Sequence, residues 1–401
     1  MIDQPGPTAL TSENPVLRIG TMAAALYLGL LPFNHLTAAK NLSLAIAFVC
    51  ALLLWLKAPE KRVPLVPVFA VWLAAAAMSL LWTHDAAASL IAIWRDVVKT
   101  ALIFFGFFVL ASNRASIVII VRISIIGASI FASLAIYELI RHGLWGENFL
   151  APARYDISVD ALNWIVFIVM MVPTIQKQPT TRLLPWLGLF ASALLIVAGV
   201  MTQSRSFNLA IILGAVLVAA MNFRRMLQHK TMLALVSGVI VASAILGVTL
   251  LNKPLTTSWD RWLIYSTVWQ KIVANPWHGT GFGHETDQAW YRNTFDYLLI
   301  PDAPAGLTHP HNIVLSYLDQ MGIWGFLVLA FMFWTIGRKF WSAMHSGDQW
   351  QAWLGQAGML LLLVTLLSNS FNYFFARQHL WMFFAMLGLY LGWIRGGRRL
   401  P

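Results

Sequence analysis

Charge is what this sequence has least of. Asp, Glu, Lys and Arg together make up 11% of its 401 residues, where a soluble domain carries about a quarter. Hydrophobic residues make up 59% and mean hydropathy is +0.70, which excludes an ordinary water-soluble globule. Cysteine is nearly absent. The single Cys50 rules out an intrachain disulfide and lies inside an apolar run. No Asp-x-Asp pair and no His-Glu-x-x-His motif occur, so neither a metal-chelating glycan-transfer signature nor a zinc-protease helix is present. Internal repeats and low-complexity tracts are also missing. The polar start, Met1 to Glu13, lacks a basic cluster and a small-residue cleavage site, and no signal peptide is expected there.

What the sequence has is long apolar runs. A bilayer core of about 30 Å needs about 20 apolar residues per helix. Twelve such spans are predicted, near 16–32, 42–56, 65–81, 96–112, 117–137, 161–175, 183–201, 207–222, 231–251, 313–337, 352–370 and 378–394. The expectation is an all-α, polytopic integral membrane protein, a single membrane domain over 1–401. Its net charge of +11 does not point to nucleic acid, because the basic residues are distributed among short connections. With the N-terminus in the cytoplasm, one side collects Lys57, Lys61 and Arg62, then Arg114, Lys177 and Arg182, Arg224, Arg225 and Lys230, Arg338 and Lys339, and finally Arg395, Arg398 and Arg399. That is the positive-inside bias, and it places both termini in the cytoplasm.

Two connections on the opposite side are long, Glu138 to Asp160 and Asn252 to Pro310. The second, 252–312 with the motif it leads into, is the large outer loop. Trp55, Trp82, Trp164, Trp186, Trp334, Trp353, Trp381 and Trp393 fall near span ends, as an aromatic belt would. Trp259, Trp262, Trp269, Trp277 and Trp290 belong to the outer loop and are expected to pack on the membrane surface or a lipid. Ala86 to Lys99 has apolar residues at helical spacing and could lie in the interface before turning inward.

Chemistry concentrates on the outer side. His311-Asn312 stands at the mouth of an apolar helix that continues to Gly322-Ile-Trp-Gly325. His311 reads as a general base, with a metal ligand or a hydrogen-bonding loop histidine as alternatives, and His309 shares those alternatives. Arg205, in Gln203-Ser-Arg-Ser206, and Arg261, in Ser258-Trp-Asp-Arg-Trp262, are cations on the side the topology rule leaves poor in them. Each reads either as a structural charge, snorkelling for Arg205 and paired with Asp260 for Arg261, or as half of a phosphate clamp. Arg95 and Lys99 share a helical face and are secondary phosphate-binding candidates. Gly279-Thr-Gly-Phe-Gly283 lacks the strand and lysine of a phosphate loop and reads as a turn.

Ser204-Arg205, then Arg261 with Trp269, Pro276 and Gly279-x-Gly-x-Gly283, then His311-Asn312 and Gly322-x-x-Gly325 together resemble the O-antigen ligase and polymerase superfamily of bacterial inner membranes, most strongly over 190–330. Within it the likeness is to the lipopolysaccharide O-antigen ligases. The resemblance implies a metal-independent, inverting glycosyltransferase without a cofactor. Its donor would be a glycan on undecaprenyl diphosphate and its acceptor lipid A-core, met at the periplasmic face among membrane lipids. It also implies that Arg205 and Arg261 bind the diphosphate and that His311 is the base. An O-antigen polymerase, a protein-directed oligosaccharyltransferase and a lipid transporter are the competing expectations.

Overall fold

A computed structural model describes residues 14–33, 35–58, 61–142, 154–175, 183–202, 204–221, 256–295, 310–371 and 377–397. Among the described residues every regular element is helical. They are α1 (Pro15–Leu30), α2 (Thr37–Leu56), α3 (Val66–Met78), α4 (Ala86–Ala92), α5 (Lys99–Leu110), α6 (Arg114–His142), α7 (Arg154–Ile175), α8 (Leu184–Met201), α9 (Arg205–Met221), α10 (Thr256–Ala274), α11 (Gln288–Phe295), α12 (Ile313–Met321), α13 (Ile323–Met344), α14 (Gln349–Phe371) and α15 (Arg377–Gly397). Five of them, α2, α6, α8, α13 and α14, hold stretches long and apolar enough to cross a membrane, and α1, α3, α7 and α9 contain shorter apolar helices. Their outward faces are apolar. Leu81, Trp186 and Trp334 are each at least 70% exposed, as expected of surfaces whose solvent is hydrocarbon.

Small residues set how the helices meet. Gly388, Gly392 and Gly396 of α15 lie against the backbone of Phe104, Phe108 and Ser112. A Cβ at Gly388 would stand 2.8 Å from the Phe104 carbonyl oxygen. Each step of four residues on α15 matches a step of four residues along the α5 strip, so α5 and α15 run parallel with their backbones in contact, the geometry small-xxx-small spacing permits in a membrane. α7 runs the same way, because Asp160 meets His379 and Phe167 meets Tyr390. α14 runs opposite: the Trp353 indole near its start donates to the Met170 carbonyl near the end of α7, at 2.9 Å. The starts of α5, α7 and α15 therefore share one end of the bundle with the last turn of α14. Gly199 near the end of α8 packs on Phe207 near the start of α9, and Gly214 of α9 packs on Leu360 and Val364 of α14.

Several expectations change. The span 313–337 is broken at Gly322, giving the nine-residue α12 and then α13. Gly322 has φ 63°, and the Ile323 N–H donates to the Pro276 carbonyl at 2.9 Å. The apolar period persists through α12 because Ile313, Tyr317 and Met321 are buried in protein. The loop expected from Glu138 to Asp160 is shorter, since α6 runs to His142 and α7 starts at Arg154. Glu138 and Asp160 ended the hydropathy runs, yet both are buried inside the bundle. Ala86 to Lys99 is α4 followed by a wide π turn, Ile93–Val98, that leads directly into α5. Trp164 and Trp393 are buried core residues and not belt anchors. The span at 231–251 lies outside the described residues.

The α5–α15 contact makes a prediction. Gly392→Leu should lower the thermal unfolding temperature in detergent, with overpacking costing on the order of 1–3 kcal/mol. Gly106→Ala, whose Cβ would meet nothing within 4 Å, should leave that temperature unchanged or raise it slightly, since alanine is the better helix former by about 1 kcal/mol. Equal effects of the two would remove the close-approach explanation.

Candidate active site

Three short elements at this end form a second, smaller core. Ile264, Val268 and Ile272 of α10 pack with Tyr291 and Phe295 of α11, and Leu315 and Leu318 of α12 lean on them. One side chain locks the group to the bundle. Asn312 caps α12 by accepting from the Val314 and Leu315 N–H groups at 2.9 and 3.1 Å, and its amide donates to the Ser370 carbonyl in the last turn of α14 at 2.9 Å. An asparagine ahead of an apolar periodic run is a legible N-cap signal. The tie to Ser370 is not legible from sequence.

His311, one residue earlier, has φ 52°, the left-handed region that non-glycine residues enter at a cost of about 1–3 kcal/mol. Its carbonyl accepts from the Tyr265 hydroxyl at 3.3 Å. Tyr265 lies one helical turn after Arg261, and the Arg261 charge bears on His311. His311 keeps an accessible edge but stands in a dense shell. Burial first, and the neighbouring guanidinium second, push its pKa down to about 4. At pH 7 the imidazole is therefore neutral and able to accept a proton.

The structure thus brings His311 and Arg261 together. Arg205 opens α9, just after Ser204, whose hydroxyl accepts from the Phe207 N–H at 3.4 Å. His309 lies outside the described residues. Arg95 has a different neighbourhood. Its guanidinium holds Glu285 at 2.7 and 3.1 Å and Asp96 at 2.9 and 2.8 Å, which ties the π turn to the loop after Gly283. Lys99 donates to the Asn41 side chain at 2.9 Å and stands 3.7 Å above the Trp381 ring. Both secondary candidates thus serve in contacts within the protein.

The glycine loop is a packed turn. Gly281 and Gly283 have φ 110° and 111°. The N–H groups of Thr280 and Gly281 donate to the carbonyls of Asp319 and Gln320, at 2.9 and 3.0 Å, and those of Phe282 and Gly283 donate to the side chains of Ser79 and Gln320, both at 3.0 Å. With those donors satisfied the loop is no phosphate cradle. Sequence reading also missed a buried network. Lys271 pairs with Asp287 and with Asp319, the latter at 2.8 Å, and Tyr291 donates to Asp319 at 2.8 Å. Burial raises the Asp319 pKa while Lys271 and Tyr291 oppose that rise. A second missed pair is His379 with the buried Asp160, at 2.8 Å.

Long helices with exposed apolar faces are the build of an integral membrane protein, here with the Arg261 charge close enough to bear on the His311 imidazole. Residues 190–330, about a third of the chain, match the family model described as O-Antigen ligase. Arg205, Arg261 and His311 all fall inside the matched interval. No curated protein matches the chain.

The local geometry predicts how stability and site separate. Asn312→Ala should destabilise the protein by about 1 kcal/mol for the lost cap, plus whatever the Ser370 tie adds. His311→Gly should instead raise the unfolding temperature, because glycine adopts φ 52° without the steric cost. A lowered unfolding temperature in His311→Gly would show that the histidine side chain is held for packing.

Proposed function

We propose that this protein is an O-antigen ligase, an inverting glycosyltransferase that moves a finished glycan from undecaprenyl diphosphate to a sugar hydroxyl of lipid A-core. The bundle end that carries His311 would face the periplasm from a bacterial inner membrane, with both termini in the cytoplasm. The observation that carries this reading is His311 beside Arg261 within the interval 190–330 that matches the O-Antigen ligase family model.

His311 takes the proton of the acceptor hydroxyl as that oxygen attacks the anomeric carbon from the face opposite the diphosphate. The glycosidic C–O bond breaks and its electron pair leaves on undecaprenyl diphosphate. Arg261 and Arg205 neutralise the charge that develops there, bidentately if the planar guanidinium is used fully. The proton on His311 is later released to water. The superfamily contains polymerases as well as ligases, and both use this donor. Product attached to lipid A-core, as opposed to a longer chain still on the carrier, separates them.

Arg261 depresses the His311 pKa only while its own charge is unanswered, and a bound diphosphate answers it. The acid limb of kcat/KM, which reports free enzyme, should therefore lie near pH 4, and the acid limb of kcat should lie at higher pH. Arg261→Gln removes the cation that disfavours imidazolium, so it should move the kcat/KM limb upward while raising KM for the donor. Coincident limbs in the wild type would count against the coupling. His311→Ala should abolish transfer in a folded protein, and full activity in that variant would refute the assignment.

A further inference from the structure

Beyond the His311 neighbourhood, α12 leads to a separate cleft. His311 precedes its first turn and Asp319 lies in its last turn. There a cavity of about 280 Å³ opens between Trp82 and His84, Lys271 and Asn275 at the end of α10, His278, and Asp319. Its walls are fixed by hydrogen bonds between segments distant in sequence. The Thr280 N–H donates to the Asp319 carbonyl at 2.9 Å, and the Thr280 carbonyl accepts from the His84 N–H and the Thr83 hydroxyl, both at 3.3 Å. The cleft is therefore preformed, at the small end of ligand-binding volumes.

Its chemistry selects a ligand class. Trp82 presents an indole whose ring centroid lies 5.2 Å from that of His278, edge to face, and its buried N–H has no acceptor among the described residues. A buried donor without a partner costs about 1–3 kcal/mol until a ligand supplies an acceptor. Asn275, His84 and His278 add exposed hydrogen-bonding groups around the rim. The one lysine, Lys271, is held by the carboxylates of Asp287 and Asp319, so the cleft offers no surplus positive charge to a phosphate. An aromatic wall with neutral polar groups around it suits a ring that has an apolar face and a hydroxyl edge.

We propose that this cleft is a saccharide-binding subsite holding one or two rings of a neutral, hydroxyl-rich glycan beside the His311 site. The assignment rests on the glycan-transfer reading, and the ring belongs either to the donor glycan or to the acceptor core.

The test is direct binding of lipid-free sugars to the full chain in detergent, by calorimetry. The probes are the core oligosaccharide, released by mild acid from lipopolysaccharide that lacks O-polysaccharide, and the core-free O-polysaccharide, released by mild acid from its lipid diphosphate carrier. Neither carries the carrier diphosphate. The double variant Asn275→Ala with His278→Ala should bind one of them at least tenfold more weakly, and Trp82→Phe, which keeps the ring and loses the N–H, should bind it several-fold more weakly. Gly106→Ala, in α5 with nothing within 4 Å of the added Cβ, should bind it as the wild type does. Loss of the core oligosaccharide assigns the cleft to the acceptor, and loss of the polysaccharide assigns it to the donor. The proposal is overturned if neither sugar binds, if both bind the double variant with wild-type affinity, or if inorganic pyrophosphate displaces the sugar. Cleft-dependent binding in a protein that transfers no glycan would support the subsite and refute the transfer reaction.

Discussion

The helices around His311 meet the bundle through one asparagine that serves two helix ends. Helices such as α10, α11 and α12, packed together outside the main apolar core, need partners for their polar backbone ends. Asn312 supplies two kinds at once, accepting from the first turn of α12 and donating to the Ser370 carbonyl at the end of α14. A last-turn carbonyl is an orphan of its own helix, so the bond satisfies two helix ends with one side chain. The consequence reaches the neighbouring residue. With Asn312 extended at φ −150° and the Tyr265 hydroxyl on the preceding carbonyl, His311 is held in a left-handed conformation that it would not keep in a free loop.

The same logic explains where the charges went. Inside a bundle, a charged group is tolerated when a partner is built beside it. Asp160 meets His379, Arg95 is shared between Asp96 and Glu285, and Lys40 donates to the Leu31 carbonyl at 3.5 Å. Asp160 and His379, Arg95 with its partners and Lys40 all lie near the starts of α2, α5, α7 and α15, which those contacts bring to one end. These paired groups fix one helix against another.

Legibility followed the physics of each signal. All-helical architecture was readable because a bilayer admits long apolar helices and the sequence supplies them. Helix limits were misread where charges turn inward, at Glu138 and Asp160, since hydropathy records composition and not direction. Gly322 was read as part of a motif but not as a break, because Ile313, Tyr317 and Met321 keep the helical period up to it. Within the site, His311 and Arg261 were legible as residue types that suit acid–base and phosphate chemistry, and the structure sets them side by side. Tyr265 and the Lys271–Asp287–Asp319–Tyr291 network were invisible, because their meaning lies in long-range partners. The glycine ladder Gly388, Gly392, Gly396 was visible in spacing and went unused.

The pairing of His311 with Arg261 has an electrostatic logic of its own. A base beside a fixed cation is weakened, and burial weakens it further, so the empty site holds an imidazole that is neutral but reluctant to take a proton. An arriving diphosphate reverses the second influence. Its charge answers the guanidinium, and imidazolium is then stabilised by the surplus negative charge in a medium of low dielectric. On the proposed reading, proton transfer from an acceptor hydroxyl would be easier with the donor in place than in the empty site. On that reading one of the two guanidiniums that meet the leaving group, Arg261, would also gate the base, and an arginine suits this arrangement better than a lysine, because its charge is not itself lost to burial.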